Sequence, residues 1–458
     1  MSAPGALDSL PRRFTGWAVN RYLAPASVTG ISLALGLCAA VWFSAGTTSA
    51  SVSGALALCG SYLAWRAAWR LADPASGAMP RSASAGAGSL AELGGTAAEL
   101  AVYAGLAAGG YQAHQDGTWQ LAVAAAIVLA VRRTLVACSS PVADSRHPLG
   151  RALLGVLACP PGGRVALIAV AAPVWGARVT LLAVLEWGIV AACYALARRG
   201  PYRRVAAAAA NPEQAPVAAT AALSPSSGGP ERTEASLTGP GPAEPPSVLD
   251  GLISAGARPR EPAATVVADP QVLATLVACR DDGSVAVRLG QLVRGQFVPL
   301  PPAVAGLAAA CFLAWLGMRN LPGILLLTPL VVMLLAGFGS AHPHDGRLDW
   351  TTPAVLLAGQ LVYLATLGFS FRIPALVTFA VCALTALRYV ELATRGRPAG
   401  WHPPDTRLGW EGRMLVAGLG AMLGIVTVGY LVLAAYLVAL VCRGAAASYL
   451  AARDGPIP

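Results

Sequence analysis

The polar residues in the C-terminal half of the chain are of types that bind a metal ion or a phosphate. One segment, GSAHPHDGRLDW, contains His342, His344, Asp345 and Arg347. Two further segments, RYVELATRGR and LGWEGRM, contribute Arg388, Glu391, Glu411 and Arg413. An H-x-H-D run can bind a transition metal, whereas arginines can hold a phosphate or a lipid headgroup. Ordinary polar chemistry at a membrane surface is the third explanation, and the sequence leaves all three open.

A single acid interrupts one of the longest apolar runs of the N-terminal half. Glu186 lies in the middle of LLAVLEWGIV. An acid at the middle of a membrane is costly and usually faces the protein interior or a cavity. We therefore expect Glu186 to line a substrate cleft. The alternative is a packing carboxyl group that is protonated or paired with a neighbouring helix.

The composition defines the elements that must position these residues. Of the 458 residues, 56% are hydrophobic and only 12% are charged, whereas a soluble domain carries about a quarter charged residues. A soluble globular fold and a fully disordered chain are both excluded. All 32 basic residues are arginine, and the net charge is +10. No basic run stands apart from the ends of the apolar segments, so we expect no nucleic-acid partner.

About twelve apolar runs are long enough to cross a membrane, which predicts an all-α polytopic protein with two six-helix halves. The last two runs could instead form one long kinked helix. The predicted spans lie near 28–46, 51–70, 90–111, 118–138, 156–176, 178–197, 302–318, 321–339, 352–370, 373–391, 412–428 and 429–447.

The arginines predict the orientation of these spans. They concentrate in every second loop, as cytoplasmic loops do. We therefore expect a bacterial cytoplasmic membrane protein with both termini in the cytoplasm. Between the halves, an Ala-, Pro- and Gly-rich stretch cannot bury enough apolar surface to fold. The predicted divisions are a membrane domain over 1–203, a disordered linker over 204–263, a partly helical cytoplasmic or interfacial segment over 264–300 and a second membrane domain over 301–458.

The loop between the second and third spans resembles a family signature. It reads RLADPASGAMPR and is followed by GSLAELGGTAAE. The CDP-alcohol phosphotransferase family carries D-x-x-D-G-x-x-A-R and then G-x-x-x-D-x-x-x-D. The first part matches at Asp73, Gly77 and Arg81, while Ser76 replaces the second aspartate. In the second part, Glu92 and Thr96 replace the two aspartates, and PASVTGISLALGL resembles the family's entry to its first helix. The resemblance covers residues 8–200.

The family moves a phosphoryl-alcohol unit from a CDP carrier, and its carboxylates hold two metal ions. The resemblance implies that Asp73 and Glu92 hold Mg²⁺ or Mn²⁺ and that Ser76, Gly77 and Arg81 bind substrate. The catalytic positions fall on Asp73, Glu92 and Thr96. Ser76 is a weak neutral ligand and Thr96 cannot act as a base. Glu99 follows Thr96 on the same helical face and could supply the missing charge.

Two functions follow from this resemblance. The chain could transfer a phosphoryl-alcohol or phosphatidyl group from a CDP-linked donor in phospholipid or glycolipid synthesis. Alternatively, it could keep the fold as a catalytically inactive lipid-binding or scaffold protein without the metal pair. A transporter, which the number of spans alone would allow, is less favoured. We expect membrane lipids, a CDP-linked lipid or alcohol and a second copy of the chain as partners. The C-terminal half also resembles an uncharacterised bacterial membrane domain that accompanies such phosphotransferase-like domains.

Overall fold

The structure of this protein is a computed structural model. It describes residues 24–73, 81–141, 160–200, 276–293, 297–317, 322–340, 342, 348–395 and 408–453. The predicted linker over 204–263 lies outside the described residues. Within the described part, the predicted all-α fold is confirmed. A two-residue antiparallel pairing of β1 (Ser140–Pro141) with β2 (Arg199–Gly200) is the exception there.

The described helices follow one another in two groups. The N-terminal helices are α1 (Pro25–Ser44), α2 (Thr48–Ala72), α3 (Arg81–Gln112), α4 (Thr118–Ala137) and α5 (Pro161–Arg198). The C-terminal helices are α6 (Ser284–Val293), α7 (Leu300–Leu316), α8 (Thr328–Gly337), α9 (Thr352–Ser370), α10 (Ala375–Arg395), α11 (Trp410–Met422) and α12 (Val426–Arg453). Short 3-10 helices, Gly323–Leu327 and Asp349–Thr351, lead into α8 and α9. Residues 276–280 are also helical.

Local sequence explains where several helices begin. Proline stands in the first turn of α1, α7, α8 and α9, where its missing N–H costs no hydrogen bond. At the start of α2, the hydroxyl of Thr47 accepts a hydrogen bond from the backbone N–H of Ala50 over 3.3 Å. Gly46 allows the tight turn before this cap because its φ is +67°, a value that glycine adopts without strain.

Six helical segments in the described part are long and apolar enough to cross a membrane. They are Pro25–Ser44, Thr118–Ala137, Pro161–Ala197, Asp349–Ser370, Ala375–Thr394 and Val426–Arg453. Three shorter apolar segments accompany them: Ser284–Val293, Leu300–Leu316 and Gly323–Gly337. Helices α2 and α3 are long enough to span but are not among the six, because glycine, serine and charged residues lower their mean hydropathy.

The chain reverses direction inside α5. Gly176 has a φ of +80° and breaks the helix. A Cβ on Gly163 would lie only 2.8 Å from the ring of Trp187, although these residues would be about 36 Å apart along a continuous helix. The two arms, 161–175 and 177–198, are therefore antiparallel. They correspond to the predicted runs over 156–176 and 178–197.

A second reversal separates α11 from α12. The turn falls at 423–425, where Gly424 has a φ of +70°, and not at the predicted boundary of 428 and 429. The hydroxyl of Tyr436 on α12 accepts a hydrogen bond from the backbone N–H of Leu408 over 3.0 Å. This contact places the two helices side by side and antiparallel. The last two predicted spans therefore form two separate helices and not one long kinked helix.

The helices before residue 200 and after residue 276 pack into one compact unit. Helices α3 and α4 contact α9, α10 and α12. The Ser89 hydroxyl lies 2.9 Å from that of Thr394 on α10, and Trp119 meets Phe379 edge-on, with 5.9 Å between ring centres. The two groups of helices therefore share one core.

Small residues let α1 and α3 approach closely. A Cβ on Gly105 would overlap the backbone carbonyl of Ala40, and one on Gly109 would overlap that of Phe43. In contrast, a Cβ on Gly30 would meet nothing within 4 Å. Alanine would therefore be tolerated at Gly30 and not at Gly105.

We expect Gly105→Ala to lower the free energy of unfolding by about 1–3 kcal/mol, because overpacking pushes α1 away from α3. Gly30→Ala is the matched control, and it should raise stability by about 0.5–1 kcal/mol because alanine is the better helix former. Thermal unfolding of the purified protein in detergent measures both changes. Equal changes for the two variants would contradict this close contact.

Candidate functional site

Two glutamates on one face of α3 are paired with arginines of α4 and α5. Glu92 and Glu99 are two helical turns apart and so lie on the same face. Glu92 Oε1 forms an ion pair with Arg133 Nη1, and its Oε2 accepts a hydrogen bond from Trp69 Nε1 over 3.2 Å. Both oxygens of Glu92 are therefore engaged by neighbouring helices.

Glu99 is held still more closely. Arg164 donates to it twice, from Nε to Oε1 over 2.6 Å and from Nη2 to Oε2 over 3.0 Å. The hydroxyl of Tyr103 donates to Oε1 over 2.7 Å, and Arg133 Nη2 lies 3.5 Å from Oε2. Such a two-point arginine–carboxylate pair is both strong and directional. Only 5% of the Arg164 side chain is exposed, so water screens this pair weakly.

A cleft of about 350 Å³ opens beside these pairs. Its charged and aromatic lining comes from α2–α5, and α10 completes the wall. The lining includes Trp65, Trp69, Glu92, Arg132, Arg133, Arg164, Val390, Ala393 and Thr394. Both groups of helices therefore contribute to one site.

An inner branch continues from this cleft into the apolar part of the bundle. Trp65, Arg133, Pro161 and Arg164 line both spaces. The inner branch is otherwise mostly apolar, with Leu58, Val102, Val165 and Ile168 among its lining residues. The site therefore has a mouth rich in arginine, where Arg133 and Arg164 pair with Glu92 and Glu99, and an apolar inner end.

Two hydrogen-bond donors at the junction of the branches have no protein acceptor in the described part of the chain. They are Nε1 of Trp65 and Nε of Arg133, and both atoms are buried. A Cβ on Gly95 would overlap the indole of Trp65, so this glycine lets the ring lie against α3. Buried donors normally have partners, so these two indicate a place for a ligand or water oxygen.

The residues of the phosphotransferase-like motif differ in their positions and in their exposure. Asp73 ends α2, and its side chain is exposed. Thr96 is buried, and its hydroxyl donates to the backbone carbonyl of Glu92 on its own helix over 2.7 Å. Arg81 is the first residue of α3. Ser76 and Gly77 lie outside the described residues.

The carboxylates described here do not fit a metal pair. A divalent ion needs several free oxygen ligands, yet Arg133 and Trp69 engage Glu92 while Arg164 engages Glu99. No group of three or more His, Cys, Asp or Glu residues is close enough to hold a metal within the described ranges.

Glu186 is exposed on the second arm of α5, next to the exposed apolar residues Leu182, Ile189 and Val190. It is not among the residues that line the cleft or its inner branch. Glu186 therefore lies on the outer face of the bundle and does not line this cleft, which differs from the expectation that it lines a substrate cleft.

The charged residues of the C-terminal half form a buried network. Asp281 accepts a hydrogen bond from Arg413 Nη1 over 2.6 Å, and Arg388 Nη2 lies 3.9 Å from its other oxygen. Arg388 also donates to Glu391 over 2.6 Å. Arg388, Glu391 and Arg413 are each at most 4% exposed. These arginines are therefore engaged by carboxylates rather than open to a headgroup.

The same network anchors the segment before α6. Arg280 is fully buried and donates to Asp282 and to the backbone carbonyls of Ala336 and Gly339 at the end of α8. Arginine at a helix C-terminus complements the helix dipole. The indole of Trp410 donates to Asp282 over 2.9 Å.

Glu411, at the start of α11, caps the N-terminus of α6. It accepts hydrogen bonds from the backbone N–H groups of Gly283 and Ala286, each over 3.2 Å. Burial, and secondly the charge of Asp282, raise the pKa of Glu411, although the backbone donors oppose this shift. Its carboxylate is therefore protonated at a higher pH than that of an ordinary glutamate.

Of the predicted H-x-H-D run, His342 is described, and its Nδ1 lies 3.5 Å from Asp349 Oδ2. His344, Asp345 and Arg347 lie outside the described residues. Sequence reasoning missed Asp281 and Arg280, although three consecutive charges after the apolar run TLVAC could have drawn attention to them. It also missed the Arg132–Arg133 pair at the end of an apolar helix and its partners across the bundle.

No protein-family model, curated protein or solved structure matches this chain.

We expect Asp281→Asn to lower the free energy of unfolding by about 3 kcal/mol, because it leaves two buried arginines without full compensation. Asp281 has a φ of +47°, a conformation that asparagine also tolerates, so the change chiefly removes charge. Asp116→Asn, in an exposed turn, should change stability by less than about 0.5 kcal/mol. Thermal unfolding in detergent compares the two, and equal shifts would contradict the role of this network.

Proposed function

We propose that this protein binds the phosphate-bearing headgroup of a membrane amphiphile in the cleft between α2–α5 and α10. The single observation that carries the proposal is the mouth of the cleft, which is lined by the guanidinium groups of Arg132, Arg133 and Arg164 and adjoins an apolar inner branch. Arginines bind phosphate groups with directed hydrogen bonds, and the apolar inner branch, of about 40 Å³, can take the first carbons of an acyl chain. A volume of about 350 Å³ is within the range of small-ligand sites.

We further propose that the protein lies in the cytoplasmic membrane of a bacterium, with about twelve spans in two six-helix halves and both termini in the cytoplasm. The alternation of arginine-rich loops supports this orientation. The reversals at Gly176 and Gly424 support counting the arms of α5 separately and α11 apart from α12. In this orientation, the cleft opens toward the cytoplasmic headgroup layer, because Arg132 and Arg133 lie about one turn before the C-terminal end of α4.

The ion pairs of the two glutamates favour a lipid-binding role over catalysis. Glu92, which the resemblance implies as a metal ligand, is neutralised by Arg133, and Glu99 is neutralised by Arg164. Carboxylates in such pairs position arginines rather than metal ions. The ligand chemistry shared by both roles is a phosphate ester on a lipid, either an ordinary phospholipid or a CDP-linked one.

A CDP-alcohol phosphotransferase-type enzyme is the second candidate. Asp73 ends α2 one helical turn after Trp69, the residue that binds Glu92. An exposed acid therefore lies one helical turn from Trp69, which lines the cleft, and the resemblance implies a catalytic carboxylate at this position. The acceptor alcohol would enter from the same side.

We expect Ala393→Trp to lower phospholipid affinity roughly tenfold, about 1.4 kcal/mol. The tryptophan ring would project from the wall into the cleft and occupy part of its volume, while the charge of the cleft stays the same. Leu376→Trp, on the exposed face of the same helix α10, is the matched control and should bind lipid normally. Native mass spectrometry of the purified protein with added phospholipid measures the affinity. Unchanged binding by Ala393→Trp would place the lipid elsewhere and overturn the proposal.

The second candidate makes a separate prediction. Under it, purified protein with CDP-diacylglycerol, Mg²⁺ or Mn²⁺ and an acceptor alcohol should release CMP, and Asp73→Ala should abolish that release because the motif's first carboxylate is gone. Chromatographic measurement of CMP tests this. If CMP from the unaltered protein does not exceed that from Asp73→Ala, transfer from this donor is excluded and lipid binding remains.

A further inference from the structure

We infer that helix α6 lies in the cytoplasmic surface of the membrane, with one side in contact with lipid and a neighbouring side in the headgroup layer. The partner of this helix is therefore the lipid surface itself. The residues of α6 are not among those that line the cleft or its inner branch, so this contact is separate from lipid binding in the cleft. Two features of the molecule lead to it, the division of the surface of α6 and the place of α6 in the bundle.

One side of α6 is buried against the end of α8. Ala286 and Gly290, four residues apart and so on one face, are buried. A Cβ on Gly337 would lie 3.1 Å from the Cα of Ala286, and the hydroxyl of Ser340 donates to the backbone carbonyl of Ala286 over 3.0 Å. This packing fixes which residues of α6 point away from the protein.

The exposed surface of α6 is itself divided into an apolar and a polar side. Val285 and Leu292 are seven residues apart, lie on one side and are 48% and 76% exposed. Arg288 and Gln291, three residues apart, are exposed on a neighbouring side. A helix in the plane of a membrane surface buries its apolar side in lipid and keeps its polar side among the headgroups. The exposed residues of α6 have this arrangement.

The neighbouring elements place α6 at the boundary of an apolar part of the bundle. Helix α7 and the segment Gly323–Gly337, which ends with α8, are both apolar. Phe297, just before α7, meets Phe338 at the end of α8 edge-on, with 6.1 Å between ring centres. Helix α7 therefore begins where α8 ends, and α6 packs at this same end. In the proposed orientation this end is cytoplasmic, because the loop after α8 contains Arg347.

Lipid fits this surface better than a protein partner does. Helix α6 has ten residues, about 15 Å of helix, and one of its sides is already buried. Such a strip is much smaller than a stable protein interface needs. Exposed apolar side chains also follow α6 along the chain, since Phe297 and Val298 are 40% and 45% exposed just before α7. The long side chain of Arg288 can reach headgroup phosphates while its apolar neighbours lie deeper.

The contacts at the start of α6 join this membrane contact to the cleft. Glu411 of α11 accepts hydrogen bonds from the backbone of Gly283 and Ala286. Asp281, two residues before Gly283, lies 3.9 Å from Arg388 of α10. Because α10 supplies one wall of the cleft, a helix held in the membrane surface also holds the loop that braces this wall.

The test compares two adjacent positions of α6, Leu292→Cys and Gln291→Cys, in the full chain in bilayer nanodiscs of phosphatidylglycerol and phosphatidylcholine. A negatively charged methanethiosulfonate reagent modifies the thiols. Both changes fall in the tryptic peptide 289–294, which contains no native cysteine, so mass spectrometry of this peptide measures each rate. We expect Gln291→Cys to react roughly tenfold faster, because the thiolate is the reacting form and a charged group is disfavoured in lipid.

Equal rates at the two positions would overturn the membrane contact, because both residues are exposed on the protein itself. Val285→Cys, on the same side as Leu292, should react as slowly as Leu292→Cys and replaces it if that variant does not fold. Its tryptic peptide, 281–288, also contains no native cysteine.

A second measurement on the unaltered protein identifies what covers this side of α6. Irradiation in bilayers that contain a phospholipid with a diazirine on its acyl chain should attach lipid to peptide 289–294. A slow reaction at Leu292→Cys without lipid attachment would mean that protein covers the helix, and would overturn the inference. Both measurements concern the outer surface, so they are independent of whether the cleft binds lipid and of the result for Ala393→Trp.

Discussion

The rest of this structure depends on one constraint: a charged side chain inside the apolar bundle needs a partner of opposite charge. A charged side chain without a partner is unfavourable away from water, and the described part of the chain meets this requirement by joining helices. The Glu99–Arg164 pair joins α3 to α5, and Arg133 on α4 reaches both Glu92 and Glu99. The same pairs set the walls and the charge of the cleft.

The C-terminal helices obey the same constraint with different residues. Asp281 lies in the loop before α6 and meets Arg388 of α10 and Arg413 of α11. This network is too deeply buried to receive a headgroup, so its effect is to hold the loop against the helix ends. The apolar cluster of Leu135, Cys138, Leu276 and Cys279 lies beside it. The helical residues 276–280, which precede this loop, thereby contact the end of α4, the helix that carries Arg133.

Close packing of small residues provides the frame for both ionic networks. Gly105 and Gly109 let α3 approach α1, and Gly95 makes room for the indole of Trp65. Where small residues stand at a helix interface, the backbones of the two helices can approach each other directly, as is common in membrane proteins. The Ser89–Thr394 contact then brings α10 to α3. The wall of the cleft that α10 supplies follows from this approach.

The sequence by itself determined the all-α class, the apolar character of the long helices and the position of the reversal near residue 176, because hydropathy and glycine act locally along the chain. It also indicated Glu92 and Glu99 as residues of a site. Their chemistry was decided by tertiary structure, since Arg133 and Arg164 come from distant parts of the chain and neutralise them. The partners of Asp281 and the outward position of Glu186 were likewise decided by packing. A charge is visible in the sequence, but the residue that compensates it depends on which helices meet.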